Sequence, residues 1–169
     1  MAHIVKTTVH GMIERPIHEV YDFFIPIDLV DILVGWGPLP RVVRTSNQTG
    51  PWDTVGSRRT VHLADGSTAS EEVTLYAIDE EFAYTVSRFT NPIRLLTRQA
   101  KGLWTFNTTS SNGTRISWTY SYEAHNLLSK VLLTPIVKLL WVRYMQRALD
   151  KFIKLSEQRI VKYESTYTT

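Results

Sequence analysis

Apolar and polar positions along this chain follow two different periods, and the points where the period changes mark its elements. Residues 3–13 put Val5, Val9 and Ile13 on one parity, which predicts a first strand. Pro16 opens a short helix, Ile17 to Phe24, because a proline ring suits the first helical turn, and Pro26 stops it. A second short helix, Asp28 to Val34, sets Leu29, Ile32 and Leu33 at helical spacing before Gly35-Trp36-Gly37-Pro38 breaks it. From residue 39 to 123 the period is two. Strands are predicted at 40–46, 55–63, 67–77, 81–89, 99–108 and 114–123. Asp65-Gly66, Asp79-Glu80, Asn91-Pro92 and Asn112-Gly113 fall between or near them as turn signals.

The helical period returns after the last strand. Thr134-Pro135 reads as an N-cap and first helical position, with a shorter lead-in from about Leu128. Val137, Trp141, Tyr144, Ala148, Phe152 and Leu155 then form one apolar stripe. The helix is expected to run to about Val161, with Glu164 to Thr169 frayed. Consecutive hairpins imply an antiparallel sheet whose apolar face needs a cover, and this helix is the element long enough to supply it. The expected fold is α+β: a curved antiparallel seven-stranded sheet wrapped around a long C-terminal helix, with two short helices after the first strand.

The strand at 114–123 carries Ile116, Trp118, Tyr120 and Tyr122 on one face and Ser117, Thr119 and Ser121 on the other. That many large rings with polar edges suits the wall of a ligand cavity, although the same rings also suit core packing under the helix. Trp104 and Phe106 face inward on the preceding strand by the same parity. Trp36 and Trp52 sit in Gly/Pro-rich loops, where each serves either as a lid at a pocket mouth or as a hydrophobic plug.

Composition narrows the function classes. A chain of 169 residues is expected to form one domain, 1–169, and can bury about 70% of its unfolded surface. Its 43% apolar and 21% charged residues are ordinary for a globular protein. Nineteen basic against sixteen acidic residues leave +3, without a basic block, so nucleic acid is not an expected partner. With no cysteine there is no disulfide framework, thiolate metal site or cysteine nucleophile. The five histidines lack metal-ligand spacing, so no metal and no cofactor is expected. Residues 1–8 show no charged run followed by an apolar core, and a cytoplasmic location is expected. The apolar stretch Leu127 to Val142 is broken by Lys130, Pro135 and Lys138, which argues against a membrane span and leaves peripheral membrane contact open.

The order of elements, Glu14-Arg15-Pro16-Ile17-His18-Glu19-Val20 at the first helix, Gly56-Ser57-Arg58-Arg59 and Trp104-x-Phe106 together resemble the START-like helix-grip superfamily, in particular its polyketide cyclase/dehydrase and lipid-transport branch. The resemblance spans about residues 3–160. It implies a cavity between sheet and last helix that holds a hydrophobic molecule. It implies no universal catalytic residue, and so a pocket rather than a reaction.

Register decides which side chains would reach such a cavity. A three-residue loop Ala64-Asp65-Gly66 pairs Leu63 with Ser67 and Arg59 with Glu71, and keeps Val61, Leu63, Val73 and Leu75 on one face. Arg59 and Glu71 then share the concave side, with Arg88 on the parity of Phe82, Tyr84 and Val86. The alternative is a solvated cross-strand pair near the sheet's end. The expected ligand-binding set is Arg59, Glu71, Tyr84, Arg88, Trp104, Trp118, Tyr120, Trp36 and Trp141; no catalytic residue is assigned. Three functions fit: binding or transport of a lipid, isoprenoid or polyketide-like molecule; a cyclase, aromatase or dehydratase with Glu71 as base and Arg59 or Arg88 stabilising an enolate; or an interaction module at a membrane or ribosome. Oligomeric state stays open.

Overall fold

The structure, a computed structural model, describes residues 2–167 and the side chains through Gln158. Strand β1 (His3–Ile13) is followed by helices α1 (Ile17–Phe24) and α2 (Leu29–Ile32). Six further strands are β2 (Val42–Ser46), β3 (Arg58–Leu63), β4 (Thr68–Ala77), β5 (Glu81–Ser87), β6 (Thr97–Thr108) and β7 (Thr114–Ala124). The chain closes with α3 (Leu127–Pro135), a π-helical stretch at Ile136–Trp141 and α4 (Val142–Tyr167). Successive hairpins make β2 to β7 neighbours, while α1 and α2 carry the chain from one edge of the sheet to the other. The strand order is therefore β1-β7-β6-β5-β4-β3-β2, antiparallel throughout, with β1 paired along β7 from His3–Ala124 to Ile13–Thr114.

The Asp65 hairpin adopts the three-residue loop. Leu63 N–H donates to the Ser67 carbonyl at 2.9 Å, Arg59 faces Glu71, and Gly66 takes φ +82°, a conformation that favours glycine. Three expectations are corrected further along. A bulge between Val73 and Leu75 pairs Leu75 with Ala83 and Tyr76 with Phe82, so Leu75 turns to solvent and Tyr76 packs on Tyr21. Strand β5 stops at Ser87 because Arg88 takes φ +53°, which swings its side chain out to solvent. The last helical region starts at Leu127, where the Asn126 side chain accepts from Ser129 N–H, so the expected lead-in from about Leu128 is present and Pro135 is not the first helical position.

Pro135 instead lies inside a continuous helical run. It lacks the N–H that a regular helix uses, and the chain widens into the π-helical stretch directly after it. Backbone helix continues to Tyr167, past the expected end near Val161; Thr168 and Thr169 lie outside the described residues. Val137, Tyr144, Met145, Ala148, Leu149 and Phe152 bury the inner stripe of this run against the sheet.

The interior is filled unevenly. At one end, Phe24 of α1 inserts among Phe82, Trp104, Phe106 and Phe152, with ring centroids 4.7–5.8 Å apart. Tyr21 seals that end, its ring 5.1 Å from Phe106 and its hydroxyl donating to the Glu81 carbonyl. No residue of α1 reaches the other end, which is left hollow.

Candidate functional site

The hollow is a cavity of about 340 Å³ between the inner faces of β3, β4, β5 and β7 and the π-helical stretch. Val61, Leu63, Ala69 and Val86 form its sheet wall with Phe89 just past the end of β5, and Trp118, Tyr120 and Tyr122 its aromatic wall. Ile136, Trp141 and Tyr144 close it from the helix side. Pro38, Asp65 and Pro92 line it while remaining exposed, so its opening lies between the Gly37–Pro40 loop, the β3–β4 turn and the turn at Pro92.

Tyr84 owes its position to a missing side chain on the next strand. Gly102 pairs with Tyr84 across β5 and β6, and a Cβ on Gly102 would collide with the Tyr84 ring. The ring can therefore lie flat over β6 toward Tyr120, 6.4 Å away. Trp141 stacks on Tyr144 with centroids 4.8 Å apart and sits 4.9 Å from Tyr120. The Tyr144 hydroxyl is held by the Pro40 carbonyl at 3.3 Å, tying the helix to the mouth loop. The indole Nε1 of Trp141 is buried and has no hydrogen-bond partner among the described residues. A buried donor left unpaired costs about 1–3 kcal/mol.

Arg59 and Glu71 form a buried pair, Nε to Oε2 at 2.7 Å, with side chains 8% and 9% exposed. The Arg59 guanidinium also lies 3.7 Å from the centre of the Trp52 ring. The exposed cross-strand pair is its neighbour, Arg58 with Glu72 at 2.8 Å. Glu71 faces both the main cavity and a smaller one of about 40 Å³, whereas Arg59 lines only the smaller. The carboxylate thus stands at the cavity wall with the arginine behind it.

Burial raises the pKa of Tyr84, with the Glu71 charge adding to it; the Arg59 charge and the nearby indoles of Trp104 and Trp118 oppose it. Trp118 Nε1 is likewise buried without a hydrogen-bond partner among the described residues. Burial likewise raises the pKa of Tyr120, Tyr122 and Tyr144. All four phenols therefore stay neutral in ordinary buffers, as donors and acceptors rather than as charges.

Of the residues expected to line the site, Glu71, Tyr84, Trp118, Tyr120 and Trp141 meet at the main cavity. Arg59 and Trp104 reach only the small one, and Trp104 is packed in the core, stacked on Trp118 at 4.5 Å. Arg88 lies outside, turned to solvent by its left-handed backbone, and Phe89 takes the inward place. Trp36 also lies off the cavity: it bridges to Leu39, with the Arg143 guanidinium 5.4 Å over its ring, and its loop contributes Pro38, Leu39 and Pro40 instead. Sequence reasoning missed those three, together with Ile93, Leu96 and Ile136. A signal was present at Asn91-Pro92, where the Asn91 side chain caps a turn by accepting from Ile93 N–H.

Solved structures share this architecture. Ara h 8.0201 superposes with a TM-score of 0.64 at 11% identity, covering 92% of this chain and 99% of its own. Protein MLL2253 from Mesorhizobium loti does so with a TM-score of 0.63 at 14% identity, covering 91% of this chain and 98% of its own. At such identities the likeness establishes the helix-grip fold alone. No curated protein matches the chain by sequence. The sequence model of one family, polyketide cyclase / dehydrase and lipid transport, matches residues 3–157, and the chain belongs to that family.

Proposed function

We propose that the protein, acting as one domain, binds or carries an apolar small molecule with at least one acceptor oxygen, of the lipid, isoprenoid or polyketide kind. The observation that carries this reading is a largely apolar cavity of about 340 Å³ with a few polar groups on its wall. That volume lies within the usual range for small-molecule sites, roughly 300–1,000 Å³. Burying about 300 Å² of apolar ligand surface would contribute roughly 7 kcal/mol. Association costs remove a large share, leaving micromolar affinity within reach. The phenol hydroxyls of Tyr84, Tyr120 and Tyr122 can donate to such an oxygen, and the Glu71 carboxylate can accept from a ligand hydroxyl. Native mass spectrometry of protein purified without detergent is expected to show a bound apolar passenger, or saturable uptake of added fatty acid. Protein that stays empty and takes up neither fatty acid nor an aromatic probe would contradict it.

Cyclase or dehydratase chemistry is a second reading, favoured by one observation: the Glu71 carboxylate faces the cavity and is oriented by Arg59. If Glu71 acts as a base, Glu71→Gln abolishes turnover of a poly-β-ketone while probe binding persists. Turnover that survives this change removes that role.

A further inference from the structure

Helix α3 and the turn at Pro92–Leu95 are joined through His125. Its backbone N–H donates to the Leu96 carbonyl at 3.1 Å, and its Nε2 bonds the Arg94 carbonyl at 2.9 Å. The turn, and the π-helical stretch that continues α3, are apolar on two sides. Ile93, Leu96 and Ile136 line the cavity. Leu95, Leu127, Leu128, Val131, Leu132 and Leu139 face solvent, each more than half exposed. Side chains of this kind at helical spacing, unburied next to a cavity mouth, mark a contact surface rather than ordinary scattered exposure.

Charge identifies what covers it. Residues 88–101 hold Arg88, Arg94, Arg98 and Lys101, and residues 124–149 hold Lys130, Lys138, Arg143 and Arg147; neither stretch contains an Asp or Glu. A second copy docked through the same face would set like charges against each other. Lys130 on α3 and Arg94 in the turn are the charged residues of those two segments, and an apolar face carrying only cations instead matches the boundary between acyl chains and anionic headgroups. Among the described residues no helix is long and apolar enough to cross a membrane, so the contact would be peripheral.

We propose that the exposed face of α3, with the adjoining Pro92–Leu95 turn, docks on an anionic bilayer surface. Pro92 lines the cavity and Leu95 ends the same turn, so docking sets the cavity's opening beside the lipid. The idea that ligand is exchanged there rests on the binding reading above; the docking itself does not.

The test is flotation of the full chain with phosphatidylcholine vesicles, with and without phosphatidylserine, beside a separate titration with anilinonaphthalene sulfonate to report the cavity. The protein is expected to float with phosphatidylserine vesicles, less with neutral ones, and less as salt rises. Lys130→Gln should weaken binding about fivefold, the effect of one cation near an anionic surface. Val131→Glu with Leu132→Glu should abolish flotation while cavity titration persists; Leu127→Gln with Leu128→Gln serves as the second pair if the first fails to fold. Absence of flotation, or equal flotation of wild type and both pairs, overturns the proposal. So does a dimer in sedimentation velocity that these changes dissolve without any vesicle binding. Loss of probe binding alone would count against the ligand reading and leave docking standing.

Discussion

Replacing Glu71 by glutamine leaves the Arg59 guanidinium charged in a site where it is only 8% exposed. Two unit charges 4 Å apart interact by about 4 kcal/mol at an effective dielectric constant of 20. Removing one partner of a buried pair costs about 3–5 kcal/mol, because the remaining ion keeps its desolvation penalty. The stacking of Arg59 on Trp52 offsets a part of that. For a chain of this size each kcal/mol moves the thermal midpoint by about 2–4 °C, so Glu71→Gln should lower it by roughly 6–20 °C. A paired apolar replacement, Arg59→Met with Glu71→Leu, should restore the midpoint to near the wild-type value or above it, since neither ion remains to be desolvated. The exposed neighbouring pair supplies the control: Glu72→Gln should leave the midpoint unmoved. Thermal unfolding followed by circular dichroism reads all three. If Glu71→Gln costs no more than Glu72→Gln, or if the double replacement is as unstable as the single one, the assignment of a dry, structurally coupled pair is wrong.

Gly102→Ala should destabilise by about 1–3 kcal/mol, the usual cost of overpacking, and weaken probe binding, because the new methyl collides with the Tyr84 ring; denaturant titration and probe titration check the two effects. Tyr21, Tyr84, Tyr120, Tyr122 and Tyr144 are buried and have pKa values raised chiefly by burial. Their neutral forms favour the fold fully below the unfolded tyrosine pKa of about 10. Above that pH the unfolded chain ionises first, so stability should fall steeply and tyrosinate absorbance should rise together with loss of native circular dichroism. Early ionisation of all the tyrosines in a still-folded protein would refute this.

What was legible in the sequence is what local pattern controls. Alternation located β1, Pro16 and Pro26 bounded α1, and the Asp65-Gly66 turn set the pairing of Arg59 with Glu71. What was not legible depends on backbone turns that carry no periodic signal. The bulge after Val73 exchanged the faces of Leu75 and Tyr76, and the left-handed backbone at Arg88 replaced an inward arginine with Phe89. Pro135 looked like a helix start because proline suits a first turn; its place inside the helix is compatible with the π-helical widening that follows. The aromatic wall was visible at Trp118, Tyr120 and Tyr122, but which rings border space and which fill it was settled by Phe24, which reaches in from α1 to bury Trp104. The mouth residues at Pro38–Pro40 and Pro92–Leu96 belong to loops, whose packing the residue pattern does not encode.

Methyl NMR during titration with anilinonaphthalene sulfonate tests the occupied cavity most directly. Saturable shifts are expected at Val61, Leu63, Val86, Leu96 and Ile136, which line the hollow, with Val20 and Ile116 in the filled end unmoved. Shifts confined to the exposed Leu127, Leu128 and Val131, or none anywhere, would contradict it.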